Sequence, residues 1–247
     1  TAITFSACTT NEETHSITFY DYMYTSITIS LYGTEQEADI HFQALNDIYE
    51  TYDALTNNYQ GLNQDSIYLE NIYSINQQKD TKLEIDEALY LLLEEALRLQ
   101  NLTEGYFNIG LGKPVKAWKN LISNTPNDLT VGNSIYIRTY ENNPIYQSYE
   151  VVSNDEKTIQ VQDEENTVTF QKNQLIYDFE VSTEAFNQTQ DSINAMKIED
   201  NQIILEVDNE AYFITIKGSD IELDVGAFSK GYATELAKNY LIEEDIT

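Results

Sequence analysis

The residues Asp224-Val-Gly-Ala-Phe-Ser-Lys-Gly231 put a carboxylate, a glycine corner and an ammonium group within a few positions of one another. They follow an alternating apolar run through Phe213, Ile214, Ile216, Ile221 and Leu223, and they precede a stripe of Ala233, Leu236, Ala237, Tyr240 and Leu241 at helical spacing. The change of period predicts a strand, a corner and then a helix capped by Ser229. Unsatisfied N–H groups in the first turn of a helix attract anions, and the Lys230 ammonium adds a full positive charge beside them. That chemistry suits a nucleotide diphosphate. The spacing is not Gly-x4-Gly-Lys-Ser/Thr, so triphosphate hydrolysis of the P-loop kind is not indicated. The same residues also read as an ordinary capped corner carrying an incidental lysine.

A second stretch, "TEGYFNIGLGKPVKAW", sets Tyr106 and Phe107 among glycines at 105, 110 and 112. Glycine lets a backbone approach closely, and aromatic faces stack on planar heterocycles. A turn with core aromatics would have the same composition. Other chemistry is poorly supported. The two histidines, His15 and His41, fall in a polar N-terminal stretch and on the solvent side of the first expected helix, so neither points to a Ser-His-Asp arrangement. No HExxH spacing occurs, and scattered carboxylates usually serve solvation.

With 247 residues, 41% of them hydrophobic, the chain can build one sizeable core or two modest ones. Thirteen Lys and Arg against 42 Asp and Glu give a formal net charge of −29, which repels nucleic acid and anionic lipid headgroups as general partners. A single cysteine, Cys8, rules out an intrachain disulfide framework and a cysteine-based zinc site.

The elements that must position these residues follow from periodicity. Alternation from Ile17 through "ITISLYG" predicts strands. Thr34 then caps a helix whose inner stripe is Ala38, Phe42, Leu45, Ile48, Tyr52 and Leu55. "TKLEI" reads as a short strand, Asp86 as the cap of a helix through Leu89, Leu92, Leu93, Ala96 and Leu99, and Gly105 as its end. Pro114 suits the first turn of a helix carrying Val115, Trp118, Leu121 and Ile122. Between 131 and 180 short alternating segments ("NSIYIRTY", "YEVVS", "TIQVQ", "TVTFQ", "LIYDFEV") predict hairpins, so 124–180 is expected to be a β-rich insertion. A helix capped by Ser182 or Thr183 and two or three strands complete the pattern. Strands and helices do not alternate as βαβ units, so the expected class is α+β with largely antiparallel sheets.

The opening "TAITFSACTTNEETHS" resembles the end of a bacterial lipoprotein signal peptide, with Cys8 as the lipidated residue and a polar tether behind it. Residues 1–17 are thus expected to be a signal remnant and tether on a protein anchored outside the cytoplasm to the bacterial cell membrane. A small buried cysteine in a first strand is the competing reading, disfavoured because the polar run that follows does not read as core.

The segments "YMYTSITISLYG", "YDALTNNYQGLNQDSIYLENIYSIN", "LTEGYFNIGLGKPVKAW" and "LDVGAFSKGYATELA" together resemble, in order, the ApbE-type FAD:protein FMN transferases. The last is similar to that family's Asp-Leu-Gly-Gly-Ile-Ala-Lys-Gly-Tyr-Ala signature. The resemblance implies an ApbE-like, T-fold-related domain over 18–247, interrupted by the insertion. It implies that FAD is the substrate, that Mg²⁺ engages its pyrophosphate, and that a Thr or Ser hydroxyl of an acceptor flavoprotein takes the FMN while AMP leaves. By matching positions, Met23, Tyr59, Tyr106, Phe107, Asn108, Asp224 and Lys230 would bind FAD, and the Ala227 carbonyl would bind the metal. Hard cations prefer such oxygen ligands.

Asn108 stands where the family often has Asp. The family's later Gly-Gly-Asn, His-Ile-Ile-Asp-Pro and Ala-Asp segments do not follow "LIEEDIT". The expectation is therefore a C-terminally truncated fragment with half a metal site, its catalytic residues lying in the missing part, and inactive as it stands. Two other classes fit the same residues: a flavin-binding surface lipoprotein without transferase activity, and an adhesion or scaffold module centred on the insertion. The acceptor protein, the oligomeric state and the role of the insertion are not specified by these residues.

Overall fold

Strict alternation builds the first hairpin. Strands β1 (Glu13–Phe19) and β2 (Ile27–Gly33) pair antiparallel with Ile17 opposite Ile29 and Phe19 opposite Ile27. These residues and Leu31 face the core, while Ser16–Ser30 and Thr18–Thr28 hydroxyl pairs line the other face at 2.8 and 3.0 Å. The computed structural model describes residues 13–20, 22–124, 131–132, 134–138, 146–163, 166–171, 183–199 and 201–246. The described chain thus begins as a strand at Glu13, within the stretch read as tether. His15 lies in that strand, its Nε2 3.2 Å from the Gly33 carbonyl. Cys8 lies outside the described residues.

Helix α1 (Glu35–Thr56) starts where Thr34 and Glu37 cap each other reciprocally. Its stripe of Ala38, Phe42, Leu45, Tyr49, Tyr52 and Leu55 is buried, with Ile48 packed at its margin. The expectation that His41 faces solvent is corrected. Its side chain is half-buried, with Nδ1 3.0 Å from the Tyr240 hydroxyl, because Tyr240 packs against this side of α1. A short helix α2 (Ile72–Gln77), strand β3 (Leu83–Ile85) and helix α3 (Glu87–Leu102) follow. Asp86 occupies the N-cap position of α3 but makes no cap bond there; its carboxylate accepts instead from the Leu69 amide at 2.8 Å.

The chain divides into two compact units, one of 1–111 with 198–247 and one of 112–197. The second contains α4 (Gly112–Asn124), β4 (Ser134–Arg138), β5 (Tyr146–Asn154), β6 (Thr158–Gln162), β7 (Thr167–Gln171) and α5 (Thr183–Asn194). Its strands form an antiparallel meander in sequence order around a core of its own: Tyr149, Val151, Ile159 and Val161, flanked by Val168 and Phe170. The Asp155 carboxylate tightens the β5–β6 turn by accepting from the Lys157 and Thr158 amides. "LIYDFEV" and Ser182, read as a strand and a cap, lie outside the described residues.

The first unit resumes with β8 (Ile203–Asp208), β9 (Ala211–Ile216) and α6 (Gly226–Glu243). Strand order β3-β9-β8 is antiparallel throughout. A core cluster runs through this unit, from Phe19 and Leu31 to Leu45, Leu92, Ile214, Leu223 and Ala233. The class is the α+β fold with antiparallel sheets read from the sequence.

Candidate functional site

The stretch after α1 is fixed by asparagines. Asn57 Oδ1 accepts from the Tyr59 and Gln60 amides, both at 2.9 Å, in an Asx turn. Asn71 caps α2 reciprocally with Ser74, and its amide group donates to the Ala54 and Gln60 carbonyls. One turn later Asn76, almost fully buried, donates from Nδ2 to the Leu223 carbonyl and to Asn58 Oδ1, both at 2.9 Å, and accepts the Leu223 amide at 2.7 Å. The neighbourhood of Tyr59 is therefore tied to the residue just before Asp224.

The end of α3 shapes the aromatic loop. Gly105, at φ +83°, turns the chain, and its amide donates to the Gln100 carbonyl at 2.9 Å. The buried Gln100 side chain accepts the Ile109 amide at 3.2 Å, and Asn108 Oδ1 accepts the Gly110 amide at 2.8 Å. The Asp224 amide then donates to the Ile109 carbonyl at 2.8 Å, and Leu111 bridges to Glu222. Two motifs 100 or more positions apart are so joined through their backbones. A methyl group on Gly110 would meet Asn108 Oδ1 at 3.1 Å and Ile221 Cδ1 at 3.2 Å, which is why glycine stands there.

Helix α6 begins at Gly226 rather than at Ser229. Val225 is buried in the core and holds the N-cap position, and Asp224 Oδ1 accepts the Gly226 amide at 3.0 Å, so helical geometry sets in early. Ser229 is 1% exposed inside the first turn and caps nothing. The amides of Phe228 and Ser229 both donate to the Val225 carbonyl. Three of the first four helix amides are thus engaged, and an anion here would depend on Lys230, which is exposed, more than on the backbone. Ala227 is exposed beside it.

Among the flavin contacts read from the sequence, Phe107 is half-buried with its ring 5.8 Å from Phe228, whereas Tyr106 is 95% exposed. Phe228 continues to Tyr232 at 5.6 Å and Tyr232 to Tyr52 at 5.4 Å, an aromatic ladder from the loop into the core. Burial pushes both phenols, Tyr52 and Tyr232, above the usual tyrosine range. Met23 sits in a tight turn closed by Thr25 N to Tyr22 O at 3.0 Å, at φ 49°, with its side chain in the core and its amide donating to Asp53 Oδ1 at 2.6 Å. The exposed neighbour is Tyr24, whose ring meets Tyr59 edge-on at 5.4 Å. Sequence reasoning missed Asn76, Gln100, Asp53 and Tyr24. Only the Asn71-x-x-Ser74 pair carried a local signal for this network.

A magnesium ion requires about six oxygen ligands, several of them water. The Ala227 carbonyl belongs to the first turn of α6, and the neighbouring Asp224 carboxylate already accepts an amide. Among the described residues no three His, Cys, Asp or Glu side chains converge in a metal-sized group. These residues do not by themselves fit the ion.

Residues 23–247 match the sequence model of the ApbE family. The fold is similar to that of the ApbE protein of Thermotoga maritima, with TM-score 0.53, 14% identity, and coverage of 92% of this chain and 52% of that one. It is similar to a mutant of the flavin transferase ApbE of Vibrio cholerae, with TM-score 0.53, 15% identity and coverage of 95% and 55%. The apo flavinyl transferase ApbE of Pseudomonas stutzeri gives TM-score 0.51, 12% identity and coverage of 96% and 57%. The chain spans about half the length of these solved proteins. No curated protein gives a significant match.

Proposed function

We propose that this chain, which belongs to the ApbE family, binds FAD and serves covalent flavin transfer to an acceptor flavoprotein. The observation that carries the reading is the backbone junction of the aromatic loop with the signature corner, Asp224 N to Ile109 O at 2.8 Å. It sets Phe107 and Asn108 next to Asp224 and the Lys230 helix, as a ligand with one aromatic and one diphosphate part requires.

In the finer form of this proposal, an acceptor Thr or Ser hydroxyl oxygen attacks the phosphorus of the FMN half. A new P–O bond forms, the hydroxyl proton passes to solvent water, and the P–O bond to AMP breaks with the bridging oxygen leaving on AMP. The Lys230 ammonium stabilises charge on the diphosphate, since most amides of its helix end are already engaged. Tyr59 and Tyr106 hold planar rings, and the Asn76 and Gln100 bonds keep the two loops in place. Magnesium dependence belongs to the proposal through the family resemblance alone. A lipid anchor at Cys8, with the protein outside the cytoplasm, is also part of the proposal and rests on the Ser-Ala-Cys sequence and the polar run after it. Mass spectrometry of the protein recovered from membranes tests that anchor.

Equilibrium FAD binding by flavin fluorescence tests the reading. Lys230→Ala is expected to weaken FAD about tenfold or more, as for loss of a charge-assisted contact, with a steeper loss at low salt. Tyr106→Ala should weaken it several-fold, on the order of one stacking contact. FAD affinity unchanged in both variants would return this end of the fold to a purely structural role.

A further inference from the structure

Repulsion between copies of a chain with net charge −29 opposes self-association, so an element without charge at its surface is a weak point in that protection. Strand β2, Ile27-Thr-Ile-Ser-Leu-Tyr-Gly33, is such an element. It forms one half of a two-stranded sheet, paired with β1 through seven consecutive positions without a bulge. In an antiparallel pair every second residue turns its N–H and C=O away from its neighbour. Among the described residues, only the β1 ladder and the His15 ring at the Gly33 carbonyl bond to the backbone of 27–33. Edge strands are ordinarily blunted by a charge, a proline, a bulge or shortness. The other edges follow that rule: β1 carries Glu13, β3 is three residues with Glu84, β4 contains Arg138, and β8 contains Glu206 and Asp208. Strand β7 is five residues, set in the sequence between Glu165 and Lys172. Strand β2 is seven residues long and has none of these devices.

The residue order of β2 is also self-complementary. Turned about a two-fold axis at Ser30, a second β2 sets Ile29 beside Leu31, Thr28 beside Tyr32, and Ser30 beside its own copy. Ile27, Ile29 and Leu31 lie on the core side, so apolar meets apolar there, and Thr28, Ser30 and Tyr32 are exposed on the other side, so hydroxyl meets hydroxyl. The hairpin already uses that pattern on its exposed face, pairing Ser16 with Ser30 at 2.8 Å and Thr18 with Thr28 at 3.0 Å. We propose that β2 is the edge through which two copies of this chain associate, antiparallel and centred on Ser30, in one sheet of order β1-β2-β2′-β1′. Two strands alone are marginally stable in water, and further strands over an apolar face remedy that. The same strand serves on both copies, so each occupies the edge of the other and assembly closes at the dimer. No charged side chain lies within the contact strand, so the repulsion that opposes association is the long-range one between two acidic chains, which salt screens. The inference does not depend on the flavin-binding reading.

The test is sedimentation velocity of the 247-residue chain over a range of concentrations at low and high ionic strength, with thermal midpoints measured alongside. A reversible monomer–dimer equilibrium is expected, moving towards dimer as salt is raised. Ser30→Glu sets two carboxylates side by side at the axis and should raise the dimer dissociation constant by about fivefold or more, the scale of a like-charged cross-strand pair. Ser16→Glu adds the same charge to the same face one strand further from the axis and should change that constant by less than about twofold. Both variants break the same Ser16–Ser30 hydroxyl pair, so their thermal midpoints should fall alike. Hydrogen exchange at alternate amides of 27–33 should slow with rising concentration in the wild type and not in Ser30→Glu. A chain that stays monomeric at every concentration would overturn the proposal, and β2 amides protected at all dilutions would then place the cover of this edge within one chain. Equal weakening by Ser30→Glu and Ser16→Glu, or growth beyond the dimer, would put the contact elsewhere and overturn it too.

Discussion

Replacing Asn76 by alanine removes three hydrogen bonds at once: two to Leu223, whose side chain is fully buried, and one to Asn58. The Leu223 N–H and C=O would then be buried without partners. Each such group costs roughly 1–3 kcal/mol, so Asn76→Ala should cost about 2–5 kcal/mol, with water entering the vacated space favouring the lower end. Urea denaturation followed by far-UV circular dichroism reads the total, and hydrogen exchange at the Leu223 amide reads the place. A companion variant, Asn76→Asp, keeps the acceptor for Leu223 N but aims a carboxylate at two carbonyl oxygens. Its folded pKa must then lie above the unfolded value of about 3.9. The added penalty is absent below the unfolded pKa, grows as pH rises towards the folded pKa, and is constant above it. This variant should therefore approach wild-type stability in acid and fall furthest behind at neutral pH. A cost below about 1 kcal/mol for Asn76→Ala, with Leu223 still protected from exchange, would refute the assignment of Asn76 as the tie between these loops.

Thr34→Ala should destabilise the protein by about 1 kcal/mol in the same denaturation assay through loss of the α1 cap. The Thr34 hydroxyl and then its amide hold the Glu37 carboxyl below the usual glutamate range, so its contribution is complete above that range and is lost as pH falls through the lowered value; Glu37→Gln should flatten that acid limb. Gly110→Ala, with its new methyl group 3.1 Å from Asn108 Oδ1 and 3.2 Å from Ile221 Cδ1, should lower stability by about 1–3 kcal/mol and weaken FAD binding by moving Asn108. Unchanged affinity and stability would show that the loop relaxes freely.

Local patterns were legible and distant ones were not. The inner stripe of α1 and its Thr34 cap follow from residues within one or two turns of each other, and the structure buries that stripe. Asp86 was legible as a cap position, yet its carboxylate is used by Leu69, which no helix rule foresees. Ser229 has the composition of a cap, but the start of α6 was decided by the burial of Val225 and by the carboxylate of Asp224. His41 occupies a polar position on the helix and still packs on Tyr240, a partner 199 positions away. Asn76 reads as one polar residue in a short mixed segment, and its meaning comes from Leu223, 147 positions later. The motifs of the candidate site were visible singly; the asparagine and glutamine side chains that join them were not, because hydrogen bonding between distant segments leaves no period in a sequence.

The interruption of the first unit by 112–197 sets an order of events during synthesis. Leu83 opposite Ile214, Asp80 N on Ile216 O, and Asn76 on Leu223 all join its early part to its late part. At ribosomal rates of about 5–20 residues per second, the 86 residues from 112 to 197 impose a wait of roughly 4–17 s. In that interval β3 lacks β9 and α1 lacks α6, so a strand edge and an apolar helix face stay open to chaperones or to misassociation. The meander between them closes through neighbouring strands and can fold while its host waits. The Asp224 corner meets Ile109 and Asn76 only as the host closes, so the candidate site is assembled last.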